Sequence, residues 1–543
     1  MLQKCRLFSG RRAQTASFKA AVTSNDEAVL AKLGVEAVFD RQLTTVTNFA
    51  CAFGIIAVPA TIPSTFQLAW ANGGPAACMY GWLIVSGCSM LVGLAMAEIT
   101  SALPSCGGPF FWATILGGRG GPFLGWITGW YNLLGQIAIT TAAAAAPVVM
   151  LNAMLQLAWE YSLSPLAQYG IFLGFIALAG VLNSMPGRVL ANFIAFTLFW
   201  NFASVVIMAL TLPAVQPFHR PAKFLWATYY DVMQTSTGIT NNVYLFLQGT
   251  LMGAYCIIGF DSCAHMSEET VGAGLSAPYA ILLAISTSAV LGYCLLIAML
   301  FCVPNPDDLL TGPANGFAAA QLFYDVFYAR FHSGFGGMLL LLVPASAMLL
   351  CLLVCMMAGS RMIFSFARNG GVPFSSYFGR VHAQLRTPLR AVWLLAGASA
   401  LFGLPQLFST VVFNAVVSIT CVGLLISYAI PIACRRTISR STFVPGPFNL
   451  GKYSAVVGWG AVAWISLASV CFCLPTAYPV ASNTFNYSSV AVGIVFVGTV
   501  GSWVFPKWGA RQWFLGPKLP PKLLNTWLSR KDAMTARRSP VRV

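Results

Sequence analysis

Long apolar runs separated by short polar connections dominate the chain. A membrane-spanning helix needs about 20 apolar residues to cross about 30 Å of hydrocarbon, and about twelve runs meet that length. The runs are continuous and do not alternate between apolar and polar positions. This favours helices, because only helices and closed barrels satisfy their backbone in lipid. The predicted spans cover residues 46–66, 76–97, 121–150, 166–185, 189–212, 243–266, 278–303, 335–358, 389–406, 409–433, 453–475 and 488–506.

Composition indicates the same fold class. Of the 543 residues, 58% are apolar and 8% are charged, and the mean hydropathy is +0.75. Soluble chains carry about 25% charged residues, and a soluble protein of this size has too little interior to bury so much apolar surface. A soluble enzyme, a disordered chain and a disulfide-stapled secreted domain are therefore excluded. The chain is predicted to be an all-α polytopic membrane protein with twelve transmembrane helices.

The charge distribution predicts the orientation of the spans. The chain carries 30 Lys and Arg against 14 Asp and Glu, for a net charge of +16. With twelve spans, the basic residues fall in connections on the side of the two termini, apart from Arg220, Lys223 and Arg330. Because cytosolic connections are enriched in Lys and Arg, both termini are expected in the cytosol. The basic total is thus explained by a membrane and does not indicate nucleic acid.

The spans divide the chain into a cytosolic N-terminal segment (1–45), a domain of twelve predicted membrane helices (46–506) and a basic cytosolic tail (507–543). The first thirty residues are basic and contain no acid before Asp26, as in a mitochondrial or plastid presequence. A solvated cytosolic tail is the plainer interpretation, and both stay open. We expect an integral protein of the plasma membrane, with a mitochondrial, plastid or vacuolar membrane as the alternative.

Motifs typical of enzymes, metal sites or bound cofactors are missing from the sequence. The 15 cysteines lie mostly in apolar runs without ligand-like spacing, so they are interpreted as small packing residues. The four histidines lie in separate loops or spans, and there is no His-Glu-x-x-His motif, Cys-x-x-Cys pair or phosphate-binding loop. We therefore expect no enzymatic activity, metal or cofactor.

Two predicted spans contain residues that interrupt a helix. The first carries Gly54 and Pro59, and the sixth carries Gly259 followed by Asp261, a carboxylate in an otherwise apolar run. An intramembrane charge is costly and normally faces a cavity or a partner. These spans are corresponding members of two five-helix halves, and interrupted helices in that arrangement indicate a transporter site. A simple packing kink is the alternative for each span alone.

Seven stretches in order carry a resemblance to a known family. They are Asn25–Gly34, Ala97–Pro104 with Gly107-Gly108, Ile127–Gln136, Gly259–Thr270, Ser360–Gly371, Ile426–Pro431 and Pro445–Gly451. The chain resembles the amino acid–polyamine–organocation superfamily, and within it the amino acid/choline transporter branch of fungal GABA and choline permeases and plant bidirectional amino acid transporters. The resemblance implies a leucine-transporter-like fold. Two inverted five-helix repeats (46–212 and 243–433) would be followed by two additional helices (453–506).

The resemblance also implies a substrate site between spans one, three, six, eight and ten. The backbone amides of the first break would hold a substrate carboxylate, and carbonyls near Ile258 would accept from the amino group. An aromatic ring, Tyr255 or Phe260, would cover the site. The residues implied for binding are Gly54, Ile55, Ile56, Ala57, Tyr255, Cys256, Ile258, Gly259, Phe260 and Asp261. Relatives often carry serines where this chain has Ala52 and Ala57, which leaves the substrate's identity open.

The eighth span bears on energy coupling. In sodium-coupled members of this fold its hydroxyls supply ligands, but residues 347–358 contain no hydroxyl or carboxylate. Proton symport, exchange or facilitated flux then remain. The proton-carrier candidates are Asp261, Glu98, His265, Glu268 and Glu269. The plainer interpretation places the three glutamates at cytosolic helix ends, paired with arginines such as Arg361, and makes His265 a structural hydrogen-bonding residue.

These observations predict a secondary active transporter that moves amino acids or GABA by alternating access, with proton coupling or exchange. The partners would be a small-molecule substrate, the lipid bilayer and protons. A choline or polyamine carrier is the alternative within the class, since Asp261 and Tyr255 offer charge and cation–π attraction to a cation. A channel or a nutrient sensor that keeps the fold without transport is the rival from another class. Oligomeric state stays open.

Overall fold

The structure is a computed structural model. It describes residues 26–28, 30–31, 33, 39, 41–229, 238–314, 316–407, 412–481, 485–506, 509–514 and 516–517. The presequence-like residues 1–25 and residues 518–543 of the basic tail lie outside this part of the chain. Within this described part, the secondary-structure elements are helices and there is no β-strand. One isolated β-bridge joins Leu43 to Thr270.

Eight α-helices lie within the described residues 41–229. They are α1 (Thr45–Ile56), α2 (Val58–Ala71), α3 (Gly74–Ala102), α4 (Pro109–Leu116), α5 (Gly121–Trp159), α6 (Pro165–Asn183), α7 (Gly187–Val215) and α8 (Ala222–Ala227). The predicted first span corresponds to α1 and α2 together. Spans two to five correspond to α3, α5, α6 and α7.

The remaining helices follow from residue 242 onward. They are α9 (Asn242–Gly249), α10 (Leu251–Cys256), α11 (Ser262–His265), α12 (Ala273–Phe301), α13 (Asp308–Thr311), α14 (Ala318–Phe331), α15 (Phe335–Arg368), α16 (Ser375–Phe378), α17 (Leu389–Phe402), α18 (Val412–Arg436), α19 (Ser454–Cys471) and α20 (Ser488–Val504). The predicted sixth span corresponds to α9, α10 and α11. Spans seven to twelve correspond to α12, α15, α17, α18, α19 and α20.

Nine helices in the described part are long and apolar enough to cross a bilayer. The broken sixth segment and the shorter helices α17 and α20 do not meet that length. This establishes an all-helical, multi-pass integral membrane protein.

Helix boundaries differ from the prediction where polar or short apolar stretches continue or form a helix. Helix α5 runs to Trp159 and α15 to Arg368, each beyond its apolar run, because the polar residues of their last turns are compatible with a helix. Helices α4 and α14 were not predicted. Both are too short to stand out in a search for spans of about 20 residues.

The broken first segment forms the centre of the molecule. Of the most apolar 18-residue stretch within Thr45–Ala71, 94% of the residues are buried. The corresponding share for Pro165–Asn183, at the periphery, is 22%. Helix α5 packs against α18, α15 and α17, and α10 packs against α2. A segment that is buried among other helices has no lipid to face, so irregular backbone is tolerated there.

Candidate functional site

The first break lies at Ala57, which adopts the left-handed conformation with φ 40°. Its amide donates to Phe53 O at 2.9 Å, so Gly54, Ile55 and Ile56 form the last turn of α1. The carbonyls of this turn gain side-chain donors. Thr61 Oγ1 donates to Ile56 O at 2.9 Å. Pro59 lies in the first turn of α2, where its missing N–H removes no helical bond.

The second break covers residues 257–261. The amide of Ile257 closes α10 by donating to Gly253 O at 2.9 Å, and the chain resumes a helix only at Ser262. Between them Gly259 has φ +84°, a conformation that favours glycine. The predicted site residues Tyr255, Cys256, Ile258 and Phe260 are all buried around this break.

The two breaks lie against each other. A Cβ on Gly259 would approach Ile55 Cγ2 to 2.5 Å, so the glycine allows close contact between them. Asn48 Nδ2 donates to Cys263 O at 3.3 Å, which joins α1 to α11. Gly54 faces elsewhere, toward Thr197 and Val354 on α7 and α15. The structure therefore brings Ile55 and Gly259 together but does not bring Gly54 to the second break.

Asp261 is fully buried at the end of the second break and is surrounded by hydrogen-bond donors. Its Oδ2 accepts from Asn132 Nδ2 at 3.0 Å and from Gln136 Nε2 at 3.3 Å, and lies 3.1 Å from His265 Nε2. Its Oδ1 accepts from the Tyr428 hydroxyl at 2.7 Å. Four side chains from three helices thus converge on one carboxylate.

Sequence reasoning identified Asp261 but missed Asn132, Gln136 and Tyr428. Asn132 and Gln136 are four residues apart on α5, so they lie on one face of the helix. Tyr428 lies on α18, and its ring centroid is 5.5 Å from that of Phe260. All three polar side chains lie in the stretches that carried the family resemblance, and polar groups within apolar helices were the available signal.

His265 bridges Asp261 to the connection between α3 and α4. Its Nδ1 lies 2.8 Å from Cys106 O, and the imidazole is fully buried. Gly108 leaves room for the ring, since a Cβ there would meet His265 Cε1 at 2.9 Å. The structural hydrogen-bonding role expected for His265 agrees with these contacts, and its role in coupling remains a prediction.

The glutamates predicted at helix ends are all paired with arginines. Glu269 Oε1 accepts from Arg361 Nε at 3.0 Å. Glu268 Oε1 lies 3.1 Å from Arg368 Nη2, and Glu98 Oε2 lies 3.0 Å from Arg436 Nη2. Of the three, only Glu269 takes Arg361, the arginine that the sequence suggested. These pairs lie toward the C-terminal ends of α3, α15 and α18, and the Leu43–Thr270 bridge is next to Glu269.

Comparison with known proteins identifies the family. The model of the family described as "Amino acid permease" matches residues 43–497. The chain is 38% identical to "Amino-acid permease BAT1" of Arabidopsis thaliana over 91% of this chain and 97% of the relative. It is 38% identical to "Amino-acid permease BAT1 homolog" of Oryza sativa subsp. japonica over 90% and 94%.

A third relative is more distant. The "GABA-specific permease" of Saccharomyces cerevisiae is 28% identical over 87% of this chain and 82% of the relative. These matches confirm the predicted relationship to the amino acid–polyamine–organocation superfamily and indicate a transporter, not an enzyme. The chain belongs to the amino acid permease family.

Proposed function

We propose that this protein is a secondary active transporter that moves amino acids or GABA across a membrane by alternating access. In this proposal twelve spans form two inverted five-helix repeats (46–212 and 243–433) and two additional helices (453–506), and both termini are cytosolic. The family and the names of its relatives support the transported class. The observation that carries the proposal is the pair of buried helix breaks that lie against each other.

The breaks offer the two kinds of backbone group that a zwitterion needs. Helix α2 begins at Val58, and the positive end of its dipole faces the first break, which suits a carboxylate. The irregular backbone near Ile258 supplies carbonyls for an amino group. Gly54, Ile55, Ile56 and Ala57 would form one wall of the site. Tyr255, Cys256 and Gly259 would form the other, with Phe260 beside them.

The surroundings of Asp261 favour an amino acid over choline or a polyamine. A bare carboxylate would attract a cationic substrate, but this one already accepts hydrogen bonds from Asn132, Gln136 and Tyr428 and contacts His265. The quaternary ammonium of choline carries no N–H, so it could not replace those donors. We therefore assign Asp261 to the protein's own network and the substrate to the backbone groups of the breaks.

Alternating access requires the substrate path to open and close at each end. Glu98 on α3 pairs with Arg436 on α18, and Glu268 and Glu269 after α11 pair with Arg368 and Arg361 on α15. We propose that these pairs form the cytosolic gate and separate when substrate leaves on that side. Residues 347–358 of α15 contain no hydroxyl or carboxylate to supply the sodium ligands that related folds place on the eighth span. In this stretch Cys351 Sγ donates to Ile55 O at 3.2 Å. We therefore propose that transport is driven by exchange or by coupling to protons and not by sodium.

Uptake by purified protein in liposomes tests the proposal. Labelled alanine, GABA, glutamate, arginine and choline are offered separately, with and without a pH gradient, and each is used as an unlabelled competitor. We expect saturable uptake of one or more amino acids and no competition by choline. Competition by choline without competition by alanine would instead support the cation carrier. Ligand binding without uptake indicates a sensor, and non-saturating flux indicates a channel. Imaging of the tagged chain in cells tests the plasma-membrane assignment against an organelle.

A further inference from the structure

The geometry around His265 determines how many protons the Asp261–His265 pair holds. His265 Nδ1 faces Cys106 O, which can only accept, so Nδ1 carries a hydrogen. His265 Nε2 lies 3.1 Å from Asp261 Oδ2, and two bare lone pairs at that distance would repel. One proton therefore lies between them. It makes the pair either imidazolium and carboxylate or neutral imidazole and carboxylic acid, with no net charge in both cases.

Among the described residues that contact the pair, no other side chain carries a charge that would offset this carboxylate if that proton leaves. The groups that face the pair from α5 and α18 are the amides of Asn132 and Gln136, the hydroxyl of Ser427 and the phenol of Tyr428. Those from α11, α15 and the α3–α4 connection are the thiols of Cys263 and Cys355 and the carbonyl of Cys106. Asn48 and Cys51 of α1 lie beside Cys263. The neighbouring glutamates are already neutralised by Arg361 and Arg368.

We propose that the Asp261–His265 pair is the proton-binding site of the transport cycle, an inference that rests on the proposed transport function. One proton binds between Oδ2 and Nε2, and its loss to water leaves a single negative charge in the buried site. A buried net charge is disfavoured unless water reaches it, although Asn132, Gln136 and Tyr428 donate to the carboxylate. The proton-loaded pair is therefore stable in the closed state, and the empty pair favours a state in which the site is hydrated.

A series of hydrogen bonds connects the Asp261–His265 pair to the proposed cytosolic gate. Cys106 accepts from His265 through its carbonyl, and its own amide donates to Glu268 Oε1 at 3.1 Å. Glu268 pairs with Arg368, whose side chain is 22% exposed. Three successive contacts thus join the Asp261–His265 pair to Arg368, a partly exposed side chain of the proposed cytosolic gate.

Proton loss would also loosen this route. With one hydrogen left on the imidazole, either Nδ1 no longer donates to Cys106 or Nε2 no longer donates to Asp261. One of the two hydrogen bonds of the imidazole is then lost. Because the Cys106 amide donates to Glu268 of the proposed cytosolic gate, we expect deprotonation to weaken the gate. This couples release of the proton to opening on the cytosolic side, where substrate also leaves.

Transport in liposomes with an imposed pH gradient tests the site. The probe is the labelled amino acid that the wild type takes up best. For one coupled proton, a gradient of one pH unit sustains up to about tenfold accumulation. Asp261→Asn and His265→Gln should still exchange labelled for unlabelled substrate but show no gradient-driven accumulation. A pH-sensitive dye inside the liposomes should report substrate-induced acidification for the wild type and none for either variant.

Matched controls are available on the surface of the protein. Asp307→Asn and His382→Gln remove an exposed carboxylate and an exposed imidazole, and they should accumulate substrate as the wild type does. Thermal unfolding of each purified variant shows whether it is folded.

Three results would overturn the proposal. The first is undiminished accumulation and proton flux in both site variants, and the second is wild-type uptake that is saturable but independent of pH with no proton flux. In the second case the transport function stands and only the proton site fails. Infrared difference spectra of the wild type between acidic and alkaline buffer provide a readout independent of transport. A protonation change that is lost in Asp261→Asn would support the site. The absence of such a change is the third result that would overturn the proposal, even if no substrate is found.

Discussion

At the scale of residues, contact between the two helix breaks depends on the absence of a side chain at Gly259. Its backbone has φ +84°, and a Cβ would lie 2.5 Å from Ile55 Cγ2. The sequence predicted both breaks from Gly54, Pro59 and Gly259. It could not predict that Asn132 and Tyr428 donate to Asp261, because those contacts span 129 and 167 positions of the chain. One sequence reveals local backbone preferences and not which distant helices meet.

Gly259→Ala should therefore impair both folding and transport. A left-handed non-glycine residue costs about 1–3 kcal/mol, and overpacking adds a similar amount. We expect a lower unfolding temperature and at least about a tenfold loss of uptake. Adding Ile55→Leu moves the branch away from the Cβ and should restore part of the loss. The control Gly397→Ala has open space around its Cβ and should leave both measurements unchanged. Normal uptake by Gly259→Ala would contradict the close contact.

At the scale of elements, the hydrophobic pattern located the helices of the predicted spans and missed α4 and α14. Apolar runs of span length mark α3, α5 and α15 because crossing a bilayer requires many consecutive apolar residues. Helix α14 mixes Gln321, Asp325 and Arg330 with aromatic residues, so it produces no such run. It packs against α15 and α2 in a connection outside the long spans.

Helix α14 makes stability depend on pH through Asp325. Burial raises the pKa of this carboxyl from 3.8 to about 6. The folded state therefore binds the proton more tightly than the unfolded state. Stability is greatest at acidic pH and falls as pH rises from about 4 through about 6. In the wild type Gln321 Nε2 donates to Asp325 Oδ1 at 2.8 Å, and Asp325→Asn keeps an oxygen that can accept this hydrogen bond. The substitution should raise the unfolding temperature at neutral pH and leave it unchanged at acidic pH. The shift should be only about 1–2 °C, because solvent screens a half-buried group. A shift of equal size at both pH values would contradict this assignment.

At the scale of the whole molecule, glutamate–arginine pairs lie toward the C-terminal ends of α3, α15 and α18, the end that the sequence assigns to the cytosol. The seven N-terminal basic residues and the basic tail led to the cytosolic assignment of that end, and the positive-inside rule needs no contact information. The pairing of Glu98 with Arg436 and of Glu268 with Arg368 was not predictable in the same way. Each pair joins helices whose order in space only the packed structure reveals.

Arg368→Gln should shift the protein toward a state open at that end. Glu268 is 2% exposed, and an unpaired buried carboxylate is destabilising by about 3–5 kcal/mol. Opening the gate hydrates Glu268 and relieves this penalty, so the open state gains relative to the closed one. Cys106 is buried beneath the pair, with its Sγ 3.7 Å from Arg368 Nη2. Its modification by a maleimide, followed by mass spectrometry, should accelerate at least about tenfold. The exposed control Arg380→Gln should not change the rate. Equal rates for Arg368→Gln and the wild type would show that this pair does not hold the end closed.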